Sequence, residues 1–569
     1  TEEGAEDYQR VLQLLFAYLD MLREEGPKQW IYDEQAQLAK LGFRFKEKAS
    51  PMSYVSALSS GMHYYAPQDV LQGPYVMDNY QTQMLADMLD DMVAGNALVV
   101  LDDKNAETDR VSSHYEVPYS LREVRAEEFA AWQGGAAGSL ALPASNEFIA
   151  ENVSLVEIAR DNPAAPELVL EESRKRIWFA QDEQFRLPKG ATYINFRSPM
   201  VGQSVDQTAA ALLYTALLKD QVNEYTYPAL LAGLNFNLYK HAQGISLRIG
   251  GYNDKQARLL EDLLAVFAAP SFDPQRFENI RKDMIRGLEN SVAKRPSSQV
   301  IDDLRESLLH GEWGEQALIA ALRSLDTAAL ERYADEFWAS ATAEAMIFGN
   351  YDRAAVAGLA SMLDQVLASS EAPALPKLQV SRIGAGESAL YPVEVKHDDA
   401  VLAWYLQGAG DSWHDRAATA LTAQIMKSGF FQQLRTEQQL GYIVSAFAWP
   451  QLDVPGLVML IQSPVADAAA LAEAMAIFLD GVEPNLDEAQ FKRHRTALVN
   501  EVLRPDKNIW ERAEFYWQSI GKKQYEFDGR QSMADAVNAL SLGDWQAYYR
   551  RVFMDQRHSL QVVAPGKWG

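Results

Sequence analysis

Arg435 and Tyr442 lie seven residues apart in the stretch F-F-Q-Q-L-R-T-E-Q-Q-L-G-Y-I-V, which begins at Phe430. A guanidinium and a phenol are hydrogen-bond donors, so the pair is a candidate for binding oxygen atoms of a ligand. On spacing alone a structural interpretation is favoured. In that interpretation Arg435 caps the last carbonyls of a helix, and Tyr442 packs on a sheet with its hydroxyl in water.

The residues around this pair predict a helix that leads into a strand. Residues 424–434 carry an apolar stripe with helical spacing, and Gly441 then ends the helix in the manner of a C′ glycine. Residues 442–447 are apolar and predict a strand. Corners of this kind place polar side chains at the edge of a core.

The histidines do not have the spacing of a helical zinc site. Such sites place two histidines three or four residues apart, as in H-x-x-E-H or H-E-x-x-H. The nearest pair here, His397 and His414, is 17 residues apart, and the chain has no cysteine. We therefore expect no catalytic zinc in this chain. The eight histidines are His63, His114, His241, His310, His397, His414, His494 and His558.

Length and composition are those of a globular protein with several domains. The chain has 569 residues, which is too long for one core, so about three domains are expected. Its net charge of −26 argues against nucleic acid as a partner, because phosphate binding needs clustered Lys and Arg. No apolar run approaches the roughly 18–20 residues of a membrane helix, so we expect no membrane partner.

Two blocks of the chain repeat the same order of elements. Block two has a strand S-L-R-I-G-G-Y, a helix, F-D-P-Q-R-F-E-N-I-R and a strand A-M-I-F-G. Block three has a strand G-L-V-M-L-I-Q, a helix, L-D-E-A-Q-F-K-R-H-R and a strand S-L-Q-V-V. Such a repeat predicts two whole α+β units, preceded by part of a third that ends in a strand at Ala97–Leu101.

Seven segments, in order along the chain, resemble the insulysin/pitrilysin peptidases, the inverzincin or M16 family of zinc metallopeptidases. The family resemblance implies tandem homologous α+β domains, each with an antiparallel-rich sheet and helices on one face. It divides the chain into the end of domain 2 (1–132), a linker (133–167), domain 3 (168–372) and domain 4 (373–569). The segments are R-E-E-G-P-K-Q-W, G-F-R-F-K-E-K, H-Y-Y, L-P-A-S-N-E-F-I-A-E-N, L-L-K-D-Q-V-N-E-Y-T-Y, G-Y-N-D-K-Q and L-R-T-E-Q-Q-L-G-Y-I-V.

The same resemblance assigns roles to three residues. Tyr442 would donate a hydrogen bond to the oxyanion of a peptide undergoing hydrolysis, and Arg435 would orient substrate carbonyls or the tyrosine. Phe431 would line the pocket beside the scissile bond, with plain core packing as its alternative. Zinc would be bound by an N-terminal domain outside this chain.

Two functions follow from the resemblance. In the first, the chain is the C-terminal half of a zinc oligopeptidase that hydrolyses peptides in a closed clamshell chamber, with the N-terminal half as its partner. In the second, it is a non-catalytic substrate-binding or structural subunit of a split peptidase.

The sequence also gives expectations about where the chain begins within a domain and in which cellular compartment the protein resides. Thr1–Gly4 leads into an amphipathic helix without the features of a signal peptide, so we expect the chain to begin inside a domain. The resemblance favours the periplasm, where pitrilysin-like bacterial members reside, with the cytoplasm as the alternative.

Overall fold

A computed structural model describes residues 7–133, 138 and 140–568. Two compact units divide the chain, residues 1–149 and residues 150–569. Thr1–Gly4 and part of the predicted linker, residues 134–137 and 139, lie outside the described residues. The predicted domain boundaries remain a proposal. Among the described residues, no helix has the length and apolar content needed to cross a membrane.

The first unit is mainly helical and has a small core. Phe16 stacks on Trp132 with ring centroids 6.1 Å apart, and Ala94 packs with them. The strand predicted at Ala97–Leu101 is wrong, because this segment pairs with no strand among the described residues, and Leu98 and Val100 are 81% and 82% exposed. The elements are α1 (Tyr8–Glu25), α2 (Gln29–Arg44), α3 (Pro51–Gly61), α4 (Thr82–Asp91), β1 (Arg110–Val111), β2 (Pro118–Tyr119) and α5 (Ala126–Gln133).

Block two forms a six-stranded sheet in the order β3-β4-β8-β5-β7-β6, antiparallel except for the β4–β8 pair. The strands are β3 (Glu167–Glu171), β4 (Lys175–Gln181), β5 (Lys189–Arg197), β6 (Leu234–His241), β7 (Gly244–Tyr252) and β8 (Thr342–Gly349). The helices are α6 (Val205–Gln221), α7 (Asn223–Leu231), α8 (Gln256–Ala268), α9 (Pro274–Glu289), α10 (Pro296–Leu308), α11 (Glu315–Ser324), α12 (Thr327–Ser340) and α13 (Ala354–Leu363).

Block three forms a five-stranded sheet in the order β11-β12-β10-β13-β9, antiparallel except for the β13–β9 pair. The strands are β9 (Ser388–Pro392), β10 (Ala400–Gln407), β11 (Ile443–Ala448), β12 (Gly456–Ser463) and β13 (Ser559–Ala564). The helices are α14 (Trp413–Phe430), α15 (Ala468–Val482), α16 (Glu488–Val502), α17 (Ile509–Gly521), α18 (Gly529–Ala539) and α19 (Leu542–Tyr549).

The two sheets have one topology, which confirms the predicted tandem α+β fold. Read from its opposite edge, the five-stranded sheet matches the other strand for strand, with β9, β13, β10, β12 and β11 in the places of β4, β8, β5, β7 and β6. The parallel pair falls at the same place in both. The additional strand, β3, lies at the edge of the first sheet.

The second face of each sheet is covered by a helix of the other block. Val300, Leu304 and Leu308 of α10 in block two pack on the five-stranded sheet. The helix α17 in block three packs on the six-stranded sheet, between Trp178, Tyr193 and Phe348 among others. Both faces of each sheet are therefore apolar, which explains near-continuous apolar strands such as β10.

Candidate functional site

A π-helix carries the predicted site residues. The helix α14 continues beyond Phe430 as a π-helix over Phe431–Glu437. Phe430 and Leu434 are fully buried in the core of block three, and their packing holds the π-helix against that core. Their burial leaves Phe431 and Arg435 towards the outer surface. Single π-helical turns inside α-helices occur frequently at functional sites.

The helix ends by a different route from the predicted one. Gln439, with φ of 55°, takes the left-handed conformation that had been expected of Gly441. The amide of Leu440 donates to the carbonyl of Leu434 at 3.0 Å. Gly441 instead allows the chain to pass close to β12, because a Cβ at this position would overlap the carbonyl oxygen of Gln462. The prediction of Gly441 as a C′ glycine is therefore wrong.

The structure brings the three predicted site residues together. The Nε of Arg435 donates to the carbonyl oxygen of Tyr442 at 3.3 Å. The guanidinium carbon of Arg435 also lies 4.9 Å from the ring centroid of Phe431, which is a cation–π distance. Arg435 thus connects the π-helix to the start of β11, and the alternative in which it caps helix carbonyls is wrong.

Tyr442 and Phe431 both face outward. The tyrosine is 84% exposed, so it does not pack on the sheet. Phe431 is 43% exposed, and plain core packing does not describe it. The strand β11 that follows Tyr442 is an edge strand, hydrogen-bonded to β12 on one side. The site is therefore an open corner at a sheet edge, where Arg435 contacts the backbone of Tyr442 and the ring of Phe431.

A cavity of about 420 Å³ lies beside Tyr442 and was not found from the sequence. It is lined by four segments that are distant in sequence, so no local pattern pointed to it. Its wall includes the turn before α10, the loop before β10, and residues of β11 and β12. The lining residues are Ala293, Lys294, Arg295, Pro296, His397, Asp399, Tyr442, Ile443 and Gln462.

A larger cavity of about 830 Å³ has Trp413, Trp510 and Arg530 in its wall, and Arg435 and Tyr442 do not line it. Asp506 in that wall is buried and forms ion pairs with Arg530 at 2.8 Å and Arg512 at 2.6 Å. Asp506 and Arg530 of this cavity thus have structural partners.

The residues present do not fit a zinc site. Within residues 7–133, 138 and 140–568, no group of three or more His, Cys, Asp or Glu is placed to hold a metal ion. His397 and Asp399 come within 3.8 Å of each other, but the Nδ1 of this histidine already accepts a hydrogen bond from the amide of Asp399. We derive no chemical step through a metal in this chain.

Known proteins resemble the chain along its whole length. The family described as the middle or third domain of peptidase M16 matches residues 43–321, and the C-terminal lobe domain 4 of PqqF-like PQQ synthase matches residues 421–517. Human insulin-degrading enzyme is 29% identical over 577 residues, which cover 99% of this chain. The chain belongs to the insulysin/pitrilysin-like M16 peptidase family. The family prediction made from the seven segments is thereby confirmed.

Other M16 proteins agree. Insulin-degrading enzyme of Drosophila melanogaster is 28% identical over 99% of this chain. The crystal structure of pitrilysin superposes with a TM-score of 0.81 at 22% identity and covers the whole chain. An inactive peptidase M16 domain from Pseudomonas fluorescens covers 73% of the chain with a TM-score of 0.53 at 15% identity. These two structures support the fold.

The chain spans less than two thirds of these long M16 relatives. It corresponds to 57% of human insulin-degrading enzyme, 58% of the Drosophila enzyme and 61% of the pitrilysin chain. Activity, substrates and partners of the whole relatives therefore come to this chain as proposals.

Proposed function

We propose that this chain is the C-terminal half of a zinc-dependent M16 oligopeptidase. It supplies substrate-binding and transition-state-stabilising residues, and the zinc is bound by an N-terminal half that completes a closed chamber around the peptide. The observation that carries the proposal is the contact of Arg435 with Tyr442 and Phe431 at an exposed corner.

Tyr442 is proposed as the oxyanion donor. Hydrolysis of a peptide bond places negative charge on the former carbonyl oxygen, and a donor already aimed at that oxygen stabilises the transition state more than the substrate. Tyr442 presents its phenol outward, and the structure provides no core in which that phenol could be buried. Its backbone is held by Arg435 at one side and by the pairing of β11 with β12 at the other.

Arg435 is proposed as a positioning residue, and Phe431 as a wall of the substrate pocket. Nε of the arginine is used by the Tyr442 carbonyl, whereas the two terminal nitrogens remain for substrate carbonyls, since a guanidinium has five N–H donors. Phe431 lies under the guanidinium and offers part of its ring to the surface. An apolar ring beside the scissile bond suits a peptide side chain.

The exposed apolar surface of the first unit supports the proposal that a second half covers it. It exposes Met84, Met88 and Met92 along α4, together with Leu98 and Val100 in the segment that lacks a neighbouring strand. Apolar surface of this extent is typical of a face that another protein surface covers. We propose that the covering surface is the N-terminal half, as the predicted division into domains 2, 3 and 4 requires.

The test is reconstitution with the N-terminal half of an M16 peptidase that naturally pairs with this chain. Zinc content and cleavage of a quenched-fluorescent peptide are measured for this chain alone, for the N-terminal half alone and for the mixture. We expect cleavage in the mixture and none by this chain alone. Metal-dependent cleavage by this chain alone would contradict the proposal, and a stable but inactive mixture would favour a non-catalytic binding subunit.

The Tyr442→Phe variant tests the proposed oxyanion donor. Loss of one such donor lowers kcat on the order of 10²–10³-fold, whereas the melting temperature should stay within error because the hydroxyl is exposed. Tyr115→Phe is the matched control, since Tyr115 is a similarly exposed tyrosine in the turn between β1 and β2. An unchanged kcat for Tyr442→Phe would refute the role.

A further inference from the structure

The cavity beside Tyr442 lies at one end of the five-stranded sheet, on the face that α10 covers. Ile443 pairs with Gln462 across β11 and β12, and Gln462 pairs with Val401 at the start of β10. The turn Ala293–Pro296, which leads into α10, closes the side of the cavity contributed by block two. A peptide group next to Tyr442 would therefore meet residues of both blocks.

The two basic residues of that turn differ in whether acidic side chains neutralise their charge. Lys294 lies 3.0 Å from the carboxylate of Asp302 and 3.8 Å from that of Glu315, so neighbouring acids neutralise it. Arg295 is exposed and has no ion pair within the described part of the chain. In a protein with a net charge of −26, the charge of Arg295 is thus left without a neighbouring acid within ion-pair distance among the described residues.

The backbone of Arg295 is firmly held. Its carbonyl accepts hydrogen bonds from the amides of Ser298 at 2.9 Å and Gln299 at 3.2 Å, and Pro296 occupies the first helical position after it. The side-chain oxygen of Gln462 accepts from the Ser297 amide at 3.2 Å. Arg295 therefore lines the cavity from a fixed backbone position.

One acid, Asp399, also lines the cavity. Asp399 accepts a hydrogen bond from the side-chain amide of Gln462 at 2.8 Å, and its second oxygen lies 3.8 Å from Nδ1 of His397. This carboxylate is thus oriented by its own partners, and Arg295 keeps its donors for another group. Gln462 links the two, because its oxygen holds the start of α10 while its nitrogen holds Asp399.

We propose that this cavity is a substrate subsite for a carboxylate of the peptide, and that Arg295 is the residue that selects it. The inference rests on the proposed function, because the cavity adjoins the proposed oxyanion donor. A volume of about 420 Å³ is enough for one amino-acid side chain with water. A guanidinium binds a carboxylate through two parallel hydrogen bonds. The carboxylate comes from an Asp or Glu side chain or from the C-terminus of the peptide.

The first experiment compares peptides that differ only in charge. Glu is moved through the positions on both sides of the scissile bond, and each peptide is paired with its Gln analogue and with a Lys analogue. For the C-terminal carboxylate, acids are compared with C-terminal amides. At one position we expect the wild-type mixture of halves to prefer the carboxylate by about ten-fold in kcat/KM, since charge-assisted hydrogen bonds have this effect. Equal rates at every position and terminus overturn the proposal.

Reversal of the charge gives the sharper result. The Arg295→Glu variant should change the preferred residue at that position from Glu to Lys, and Arg295→Gln should bring the ratio of Glu to Gln rates to about one. Arg332→Glu is the matched control: it makes the same change of net charge at an exposed arginine on α12 and should retain the wild-type ratio. A ratio that changes equally in Arg295→Glu and Arg332→Glu would show a general effect of net charge and overturn the subsite.

Binding separates this proposal from the proposed function. Fluorescence anisotropy of labelled Glu and Gln peptides with the 569-residue chain alone needs no turnover. In one outcome the mixture of halves does not hydrolyse peptides, but the wild-type chain binds the Glu peptide more tightly than the Gln peptide and the Arg295→Gln variant loses this preference. That outcome refutes the oligopeptidase and supports the carboxylate subsite. In the other outcome the mixture hydrolyses peptides, Tyr442→Phe abolishes this hydrolysis, and the wild-type chain binds the Glu and Gln peptides equally. That outcome supports the oligopeptidase and overturns the subsite.

Discussion

Arg435 makes two contacts that both depend on the planar shape of a guanidinium. One is the hydrogen bond from Nε to the Tyr442 carbonyl, and the other is the stacking on the Phe431 ring. A lysine ammonium is a compact charge without an equivalent of Nε, and it cannot reproduce both contacts at once. A positive charge at position 435 is therefore not sufficient to maintain both contacts.

We predict that Arg435→Lys lowers kcat of the reconstituted enzyme by roughly 10–100-fold, because Tyr442 loses the contact that orients its backbone. Steady-state kinetics should show a change mainly in kcat. Arg416→Lys is the control, since Arg416 also stacks on an aromatic ring, Trp413, and pairs with Asp453, but lies in the larger cavity. Equal kinetic losses in the two variants would argue against a positioning role for Arg435.

At the scale of elements, the turn between the π-helix and β11 determines where Tyr442 stands. Gln439 accepts a strained left-handed φ, and Gly441 passes so close to β12 that a side chain there has no space. The same close approach places Tyr442 immediately before the edge strand β11. A shift of this turn would move the phenol relative to Arg435.

We predict that Gly441→Ala destabilises the chain by about 1–3 kcal/mol, because the new methyl group overlaps the Gln462 carbonyl. Urea unfolding measures the change. Gly287→Ala is the matched control: Gly287 lies exposed in α9 with nothing near its Cβ position, so alanine there should stabilise by about 0.5–1 kcal/mol. A neutral Gly441→Ala substitution would mean that the turn relaxes freely.

At the scale of the whole molecule, blocks two and three hold each other together. Helix α10 of block two covers the five-stranded sheet, and α17 of block three covers the six-stranded sheet. Neither sheet has both of its faces covered without the other block. This exchange fits the description of residues 150–569 as one compact unit.

We predict that Leu304→Ala, in α10, reduces hydrogen-exchange protection in β5 and β10 by a similar free energy of about 2–5 kcal/mol, the usual effect of a buried Leu→Ala change. Mass spectrometry of the exchanged peptides provides the measurement. Leu12→Ala in α1 is the control and should leave both strands unchanged, since Leu12 packs in the core of the first unit. Loss of protection confined to one sheet would show that the blocks unfold separately.

Local patterns in the sequence determined much of this protein. The repeated blocks predicted the strands β7, β8, β12 and β13, and the apolar stripe of residues 424–434 predicted the helix that leads into β11. The repeat of blocks two and three predicted their common topology. Phe431, Arg435 and Tyr442 lie within twelve residues, so their neighbourhood is set by one corner of the chain. The family followed from short segments of the same local kind.

Tertiary structure alone decided the features that depend on residues distant in sequence. Residues 97–101 have the composition of a strand but no neighbour to bond with, so propensity was overruled. Gly441 is required by Gln462 of β12, 21 residues further on, and not by the helix that precedes it. The cavity beside Tyr442 joins residues 295, 399 and 442, and the exchange of α10 and α17 joins two blocks. Periodicity reports which face of an element is apolar, but only packing decides which element covers that face.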